Sequence, residues 1–247
     1  MMKNSVRLTL VALLFYLLQS LLCGIMIGTF CMNAVWAELS SAVVVVAVLV
    51  LMMRKKEVLS YYGICTGQWA HFMKNQFFLL LVPLVNLPYL YKADFSSTEL
   101  HIGFSLIHSL FVGIMEELIF RSFLCRSIEQ QSNEQKAVLV SSVIFGAFHL
   151  LNIGNIPFAF VLLQVLYAFA AGVSFAVVFY KTKSILFCMM VHTLVDFLGS
   201  FEVQPIWEAE VLGTVVCCAC AGYAYFFVHN PRQRSEDCAR ALMVFLI

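Results

Sequence analysis

The chain has 247 residues, of which 62% are hydrophobic and only 12% are charged. A soluble domain is about half apolar and about a quarter charged, so this composition argues against soluble enzymes and disordered regulators. The net charge of +1 provides no basic field that would attract nucleic acid. The composition predicts an integral membrane protein with many spans and no nucleic-acid partner.

Eight apolar stretches are candidates to cross a bilayer as helices. About 20 apolar residues are needed to span roughly 30 Å of hydrocarbon. Pro83 and Pro88 predict a kinked or broken third helix. The expected fold class is all-α, a polytopic membrane helix bundle that forms a single domain over residues 1–247. The predicted spans are 8–32, 39–53, 76–91, 102–123, 137–152, 157–180, 184–200 and 209–228.

Positive charge predicts the orientation of the chain, because Lys and Arg are enriched in cytoplasmic loops. Of the 15 Lys and Arg residues, 13 fall in segments on the side of the N-terminus, and Arg121 lies within the fourth span. Only Lys92 falls on the opposite side. We therefore expect both termini in the cytoplasm, together with the loop at 124–136 and an aromatic, interfacial loop at 54–75.

Three acidic residues and two histidines lie deep inside the predicted spans, where charged side chains are costly and usually functional. They are Glu116 and Glu117 on the fourth span, His149 on the fifth, and His192 and Asp196 on the seventh. At about 1.5 Å per residue, Glu116, His149 and His192 lie roughly 12–18 Å from the inner surface. We therefore expect a polar, water-containing chamber near the middle of the membrane.

Helical spacing predicts which of these side chains share a face. Residues four apart on a helix are neighbours. The pairs at this spacing are Glu117 with Arg121, Phe145 with His149, and His192 with Asp196. Glu116 points about 100° away from Glu117, so it is expected to address a different neighbour.

Three short motifs carry these residues in order: Glu-Glu-x-x-x-Arg at 116–121, Phe-x-x-x-His at 145–149, and His-x-x-x-Asp at 192–196. The pattern resembles the CAAX protease and bacteriocin-processing (CPBP, or Abi) family of intramembrane proteases. The resemblance covers about residues 100–200, which form the expected protease core. It implies an intramembrane endopeptidase that cleaves a membrane-associated peptide or protein.

The resemblance also implies a mechanism in which a glutamate activates water. The general base of the family corresponds to Glu116, and the histidine that helps to position the attacking water corresponds to His149. The two residues that stabilise the oxyanion correspond to His192 and Asp196, and we expect Asp196 to orient His192. A positioned carboxylate can take a proton from water and return it to the leaving nitrogen.

The other motif residues are expected to support this site. Glu117 matches the second glutamate of the family, and its pair Arg121 would fix the helix and tune the charge near the base. Phe145 lies one turn from His149. Prenyl proteases typically carry Asn at the position of Asp196, which argues against a prenylated CAAX substrate. The compact loops resemble bacterial members, so we expect a bacterial peptide-maturing or peptide-degrading protease in the cytoplasmic membrane.

The sequence leaves open whether the mechanism needs a metal, and it allows function classes other than a protease. Glu116, His149 and His192 could supply the ligands of a catalytic divalent metal such as Zn²⁺. No HExxH motif places two histidine ligands on one helix face, and we favour a metal-free mechanism. The same buried residues could also serve a proton-coupled transporter, or a non-catalytic immunity or scaffold protein. The sequence indicates no particular oligomeric state.

Overall fold

The structure, a computed structural model, describes residues 2–52, 62–64, 77–84, 86–91, 99–201 and 206–229. These ranges are helical apart from short connections, and the one bridge between extended residues within them joins Ile153 and Ile156. The chain begins with two long helices, α1 (Met2–Phe30) and α2 (Ala34–Met52). The predicted all-α class is confirmed.

The third apolar segment is broken, as its two prolines predict. A 3₁₀ turn (Phe77–Leu80) leads into two short helices, α3 (Leu81–Leu84) and α4 (Leu87–Tyr91). Proline removes a backbone donor and disfavours helix at the preceding residue, which accounts for the break. The side-chain amide of Asn86, between the two short helices, donates to the carbonyl oxygen of Val195 at 2.8 Å. The break thus lets a polar side chain bind a neighbouring helix.

The fourth segment changes its winding midway. Helix α5 (Glu99–Glu117) continues into a π-helical segment (Leu118–Cys125) and then into α6 (Arg126–Gln131). All eight side chains of the π-helical segment are buried. π-Helical turns are rare, and they occur frequently at functional sites. Here the change of winding begins directly after the pair of glutamates and includes Arg121.

The remaining described helices complete the bundle. Asn133 caps the next helix, because its side-chain oxygen accepts a hydrogen bond from the Lys136 backbone amide at 2.8 Å. That helix ends in a 3₁₀ turn (His149–Asn152). The helices are α7 (Glu134–Phe148), α8 (Phe158–Thr182), α9 (Leu186–Gly199) and α10 (Trp207–His229).

The motif-bearing helices approach their neighbours closely at small residues. Residues 170–180 of α8 are all buried, so this helix lies at the centre of the described bundle. A Cβ on Gly146 of α7 would lie 2.8 Å from the carbonyl oxygen of Val165 in α8. A Cβ on Gly113 of α5 would lie 3.1 Å from the backbone nitrogen of Thr193 in α9. Small residues at membrane helix interfaces permit such backbone contact.

Each predicted span coincides with a helical stretch of the described residues. Four described stretches are long and apolar enough to cross a membrane, namely Ile102–Gln131, Glu134–Asn152, Phe158–Thr182 and Trp207–Phe226. Shorter apolar stretches occupy the other positions, at Tyr16–Phe30, Trp36–Leu51, Phe78–Leu90 and Leu186–Gly199. The chain is therefore a membrane protein, and the number of eight spans stays a prediction.

The orientation of the termini also stays a prediction. The C-terminal residues 230–247 lie outside the described residues. Most of the expected interfacial loop at 54–75 lies outside them too, apart from residues 62–64.

Candidate active site

Helices α5 and α9 bring the acidic pair into direct contact with a histidine. The Nδ1 atom of His192 lies 2.9 Å from Glu117 Oε1, and its Nε2 atom lies 3.4 Å from Glu116 Oε2. The side chains of Glu116 and His192 are each 8% exposed, and that of Glu117 is 0% exposed. Because carboxylate oxygens accept hydrogen bonds, a protonated imidazole satisfies both of its contacts. Glu116 and Glu117 thus contact different nitrogens of the same His192 ring.

Glu117 is shared between this histidine and an arginine of its own segment. Its Oε2 atom lies 3.2 Å from Arg121 Nε, so the predicted pairing is present. The guanidinium carbon lies 4.3 Å from the ring centroid of Phe145 and 5.2 Å from that of Phe175. Arg121 is 1% exposed, and its terminal nitrogens have no hydrogen-bond partner among the described residues. The buried charge is therefore compensated by one carboxylate and two aromatic faces.

His149 lies where α7 ends, and its orientation is fixed by its own helix. Its Nδ1 atom lies 3.0 Å from the carbonyl oxygen of Phe145, one turn earlier. A carbonyl oxygen only accepts, so Nδ1 carries the hydrogen, and Nε2 of a neutral ring has a free lone pair. The Phe145 ring also contacts the rings of His149 and His192, with centroids 5.1 and 5.8 Å away. The Phe145 ring thus packs against both the His149 and the His192 imidazole.

A cavity of about 370 Å³ connects residues from all three motifs. Glu116, His149, His192 and Asp196 line it, whereas Glu117 and Arg121 are absent from its lining. Liquid water occupies about 30 Å³ per molecule, so the cavity has room for several waters or for part of a peptide. Further polar residues that line the cavity are Asn86, His108, Ser109, Gln164, Tyr167, Ser200 and Glu210.

The structure corrects the expectation that Asp196 orients His192. Asp196 Oδ2 lies 3.8 Å from His192 Nε2, which is beyond hydrogen-bond distance. This oxygen has no hydrogen-bond partner among the described residues. The ring is held through Nδ1 by Glu117 of α5 instead. Asp196 therefore faces the cavity beside His192, and the orienting contact comes from a different helix.

One contact in the site comes from a helix that the motifs do not cover. The hydroxyl of Tyr16, in α1, donates to Glu116 Oε1 at 2.9 Å. In the sequence, Tyr16 is one aromatic residue within an apolar stretch, so no local pattern marks it. The available signal is a hydroxyl in the middle of a predicted span. The sequence gives no signal for Phe175, whose ring lies against the Arg121 guanidinium, because aromatic residues are common in such helices.

The ligand set predicted for a metal ion is not assembled. Among the described residues, no group of three or more His, Cys, Asp or Glu side chains is arranged to hold a metal ion. Glu116 and His192 contact each other directly, and the Nδ1 atom of His149 faces a backbone carbonyl. The three candidate ligands therefore do not form a ready coordination site in this structure, while Nε2 of His149 stays available.

Comparison with known families agrees with the motifs. Residues 98–198 match the model of a family described as Rce1-like, type II CAAX prenyl endopeptidase. This match confirms the family resemblance. The segment that resembles the CAAX-type proteases contains all three motifs and begins after α1, so Tyr16 lies outside it. Neither the comparison with curated proteins nor that with solved structures gave a match.

Proposed function

We propose that the protein is an intramembrane endopeptidase that hydrolyses a peptide bond of a membrane-associated substrate with water activated by Glu116. The observation that carries this proposal is the convergence of Glu116, His149 and His192 on one cavity, with the acidic pair in contact with His192. Buried ionisable groups are costly within a membrane, which makes a functional role the default explanation. The match to CAAX-type endopeptidases supports peptide hydrolysis as the reaction.

In the proposed reaction, Glu116 accepts a proton from a water molecule in the cavity and returns it to the leaving nitrogen. His149 accepts a hydrogen bond from the same water through Nε2, because its Nδ1 atom is engaged by the Phe145 carbonyl. Two acceptors that hold the two hydrogens of one water leave its oxygen lone pairs free to attack. This arrangement requires Glu116 and His149 to lie within reach of one water during the reaction.

The oxyanion that develops on the substrate carbonyl needs a hydrogen-bond donor aimed at its position. His192 is the proposed donor, through Nε2. Its Nδ1 atom is held at 2.9 Å by Glu117, whereas the contact of Nε2 with Glu116 is longer, at 3.4 Å. The Nε2 atom is thus the ring nitrogen that can turn toward a substrate. Asp196 contributes a second donor only in its protonated form, because a carboxylate only accepts.

We propose that this reaction proceeds without a resident metal. The support is that, among the described residues, no group of three or more His, Cys, Asp or Glu side chains is arranged to hold a metal ion, although Glu116, His149 and His192 line the same cavity. Metal analysis of the purified protein, together with cleavage assays before and after chelation, tests the proposal. Activity that is lost on chelation and restored by added Zn²⁺ would overturn it.

The lining of the cavity bears on the substrate. None of the described residues that line it is Lys or Arg, whereas Glu116, Asp196 and Glu210 are acidic. A free C-terminal carboxylate close to the cleaved bond would find no lysine or arginine partner among these lining residues. This favours a peptide-maturing or peptide-degrading role over cleavage of a short CAAX tail. The proposed location is a bacterial cytoplasmic membrane.

Glu116→Gln tests the proposed base, because it removes the proton acceptor and keeps the size of the side chain. We expect cleavage to fall by about 10²- to 10⁴-fold, the usual contribution of general acid–base catalysis, with unchanged expression. The readout is a proteome-wide comparison of membrane-associated peptides from cells that produce the wild type or the variant. Glu129→Gln is the matched control, since Glu129 pairs with Arg126 at 2.9 Å outside the cavity.

Two outcomes would contradict the proposal. If the Glu116→Gln cells contain the same peptides as the wild-type cells, the assignment of the base is wrong. If solute uptake into sealed vesicles depends on Glu116 while no peptide changes, the protein is a transporter and the protease proposal fails.

A further inference from the structure

The first helix reaches the proposed catalytic base, although it lies outside the segment that matches the protease family. The Tyr16 hydroxyl donates to Glu116 Oε1 at 2.9 Å across 100 positions of sequence. The other carboxylate oxygen, Oε2, lies 3.4 Å from His192 Nε2. The two oxygens of one carboxylate therefore have different partners, a hydroxyl from α1 and an imidazole from α9.

Aromatic packing holds the tyrosine in place. The Tyr16 ring makes edge-to-face contacts with Phe148, at 4.9 Å between centroids, and with Phe120, at 6.1 Å. Phe148 directly precedes His149, and Phe120 lies in the π-helical segment. Such ring contacts restrict a tyrosine without using its hydroxyl. The hydroxyl is thus held near Glu116 by residues that lie within the first two motifs.

We infer that Tyr16 is a positioning residue of the active site, which fixes the rotation of the Glu116 carboxylate so that Oε2 faces the attacking water. The inference rests on the proposed role of Glu116 as the base. The terminal torsion of a glutamate is otherwise broad, so a fixed donor on one oxygen removes freedom that the reaction does not need. The hydroxyl also occupies acceptor capacity on Oε1 and leaves Oε2 to take the proton.

Infrared difference spectroscopy of the full-length protein tests the contact without a substrate. The Glu116 carboxylate is identified as the band that Glu116→Gln removes. Tyr16→Phe deletes the hydroxyl and keeps the ring, so we expect this band to shift. Tyr180→Phe is the matched control, because the Tyr180 hydroxyl donates to the Cys125 carbonyl at 3.1 Å and does not contact Glu116. The band should stay in place in that control.

A second variant keeps the test decisive if Tyr16→Phe does not fold. Site-specific 3-fluorotyrosine at position 16 retains the ring and makes the hydroxyl a stronger donor. We expect it to shift the Glu116 band in the direction opposite to that seen with phenylalanine.

Cleavage kinetics test whether the contact serves the reaction. The substrate is a membrane-associated peptide that differs between wild-type and Glu116→Gln cells. We expect Tyr16→Phe to lower kcat by about tenfold, roughly the worth of one hydrogen bond to a charged group, with little change in KM. A purely structural role would lower the amount of folded enzyme and leave the kcat of the folded fraction unchanged.

The outcomes separate this inference from the proposed function. An unshifted Glu116 band in both Tyr16 variants overturns the inference, whatever the cleavage result. A shifted band with wild-type kcat also overturns it, because the contact then has no part in the reaction. Normal cleavage by Glu116→Gln overturns the proposed function instead, and that result is obtained without any Tyr16 variant.

Discussion

Replacing Arg121 by alanine tests whether the buried ion pair supports the site. The substitution removes the arginine partner of Glu117, whose side chain is 0% exposed, and leaves His192 as its charged partner among the described residues. The atoms Arg121 Nε and Glu117 Oε2 are 3.2 Å apart. At an effective dielectric constant of about 20, two unit charges at that distance attract each other by about 5 kcal/mol.

Lost cation–π contacts add to the cost of removing Arg121, and the desolvation of its charge, which is no longer needed, reduces that cost. The guanidinium contacts with Phe145 and Phe175 are worth about 0.5–2 kcal/mol each, and they are lost as well. In return, the arginine no longer has to be desolvated. Removing one partner of a buried pair typically costs about 3–5 kcal/mol. We therefore expect Arg121→Ala to lower the free energy of unfolding by about 3–5 kcal/mol, a large part of the total for an ordinary protein.

Unfolding of the purified protein in mixed micelles, followed by circular dichroism as the SDS fraction rises, measures this loss. Glu129→Ala is the control, because it breaks a partly exposed pair with Arg126 and should cost no more than about 1 kcal/mol. The double variant Glu117→Gln/Arg121→Met removes both buried charges and should recover much of the stability. It should stay inactive, because the Nδ1 atom of His192 has then lost the carboxylate that holds the ring.

A loss in Arg121→Ala no larger than that in Glu129→Ala would refute this reasoning. So would a double variant that is less stable than Arg121→Ala alone, because the cost would then come from lost packing rather than from an unpaired charge.

Three further predictions concern topology, packing and the oxyanion. In an otherwise cysteine-free chain, external thiol reagents should label cysteines placed at 202–208 and none at position 181, and the reverse pattern would contradict the predicted orientation. Gly146→Ala should cost about 1–3 kcal/mol in the same unfolding assay, because its Cβ would lie 2.8 Å from a backbone oxygen. Gly103→Ala, with open space around it, should cost nothing. Asp196→Asn should retain wild-type kcat within about threefold, because the amide can donate to an oxyanion; a fall beyond about tenfold would show that the acid itself is needed.

The positions of the helices could be predicted from the sequence because a bilayer leaves long apolar segments few alternatives. The break near Pro83 and Pro88 follows from the same chemistry. The π-helical segment at Leu118–Cys125 could not be predicted, since its composition does not distinguish it from the α-helix before it. Its winding depends on the packing of all eight of its side chains against other parts of the bundle.

The contacts of the site divide in a similar way. Within one segment, spacing predicts the pairing of Glu117 with Arg121, and the structure contains that pair. Between segments, spacing predicts only that the motifs lie at a similar depth. The rotation of each helix then decides which groups meet, and it brings Glu117 rather than Asp196 to the Nδ1 atom of His192. The approach of Tyr16 depends entirely on tertiary packing.

Chain synthesis brings the partners of the two adjacent glutamates into the membrane at different times. Tyr16 precedes Glu116 by 100 positions, whereas His192 follows Glu117 by 75. At about 5–20 residues per second, the histidine is synthesised roughly 4–15 s after the glutamates. During that interval, a hydroxyl already present in the nascent bundle and the neighbouring Arg121 are the partners available to the two carboxylates. The contacts of Glu116 with Tyr16 and of Glu117 with Arg121 can therefore form before His192 is synthesised.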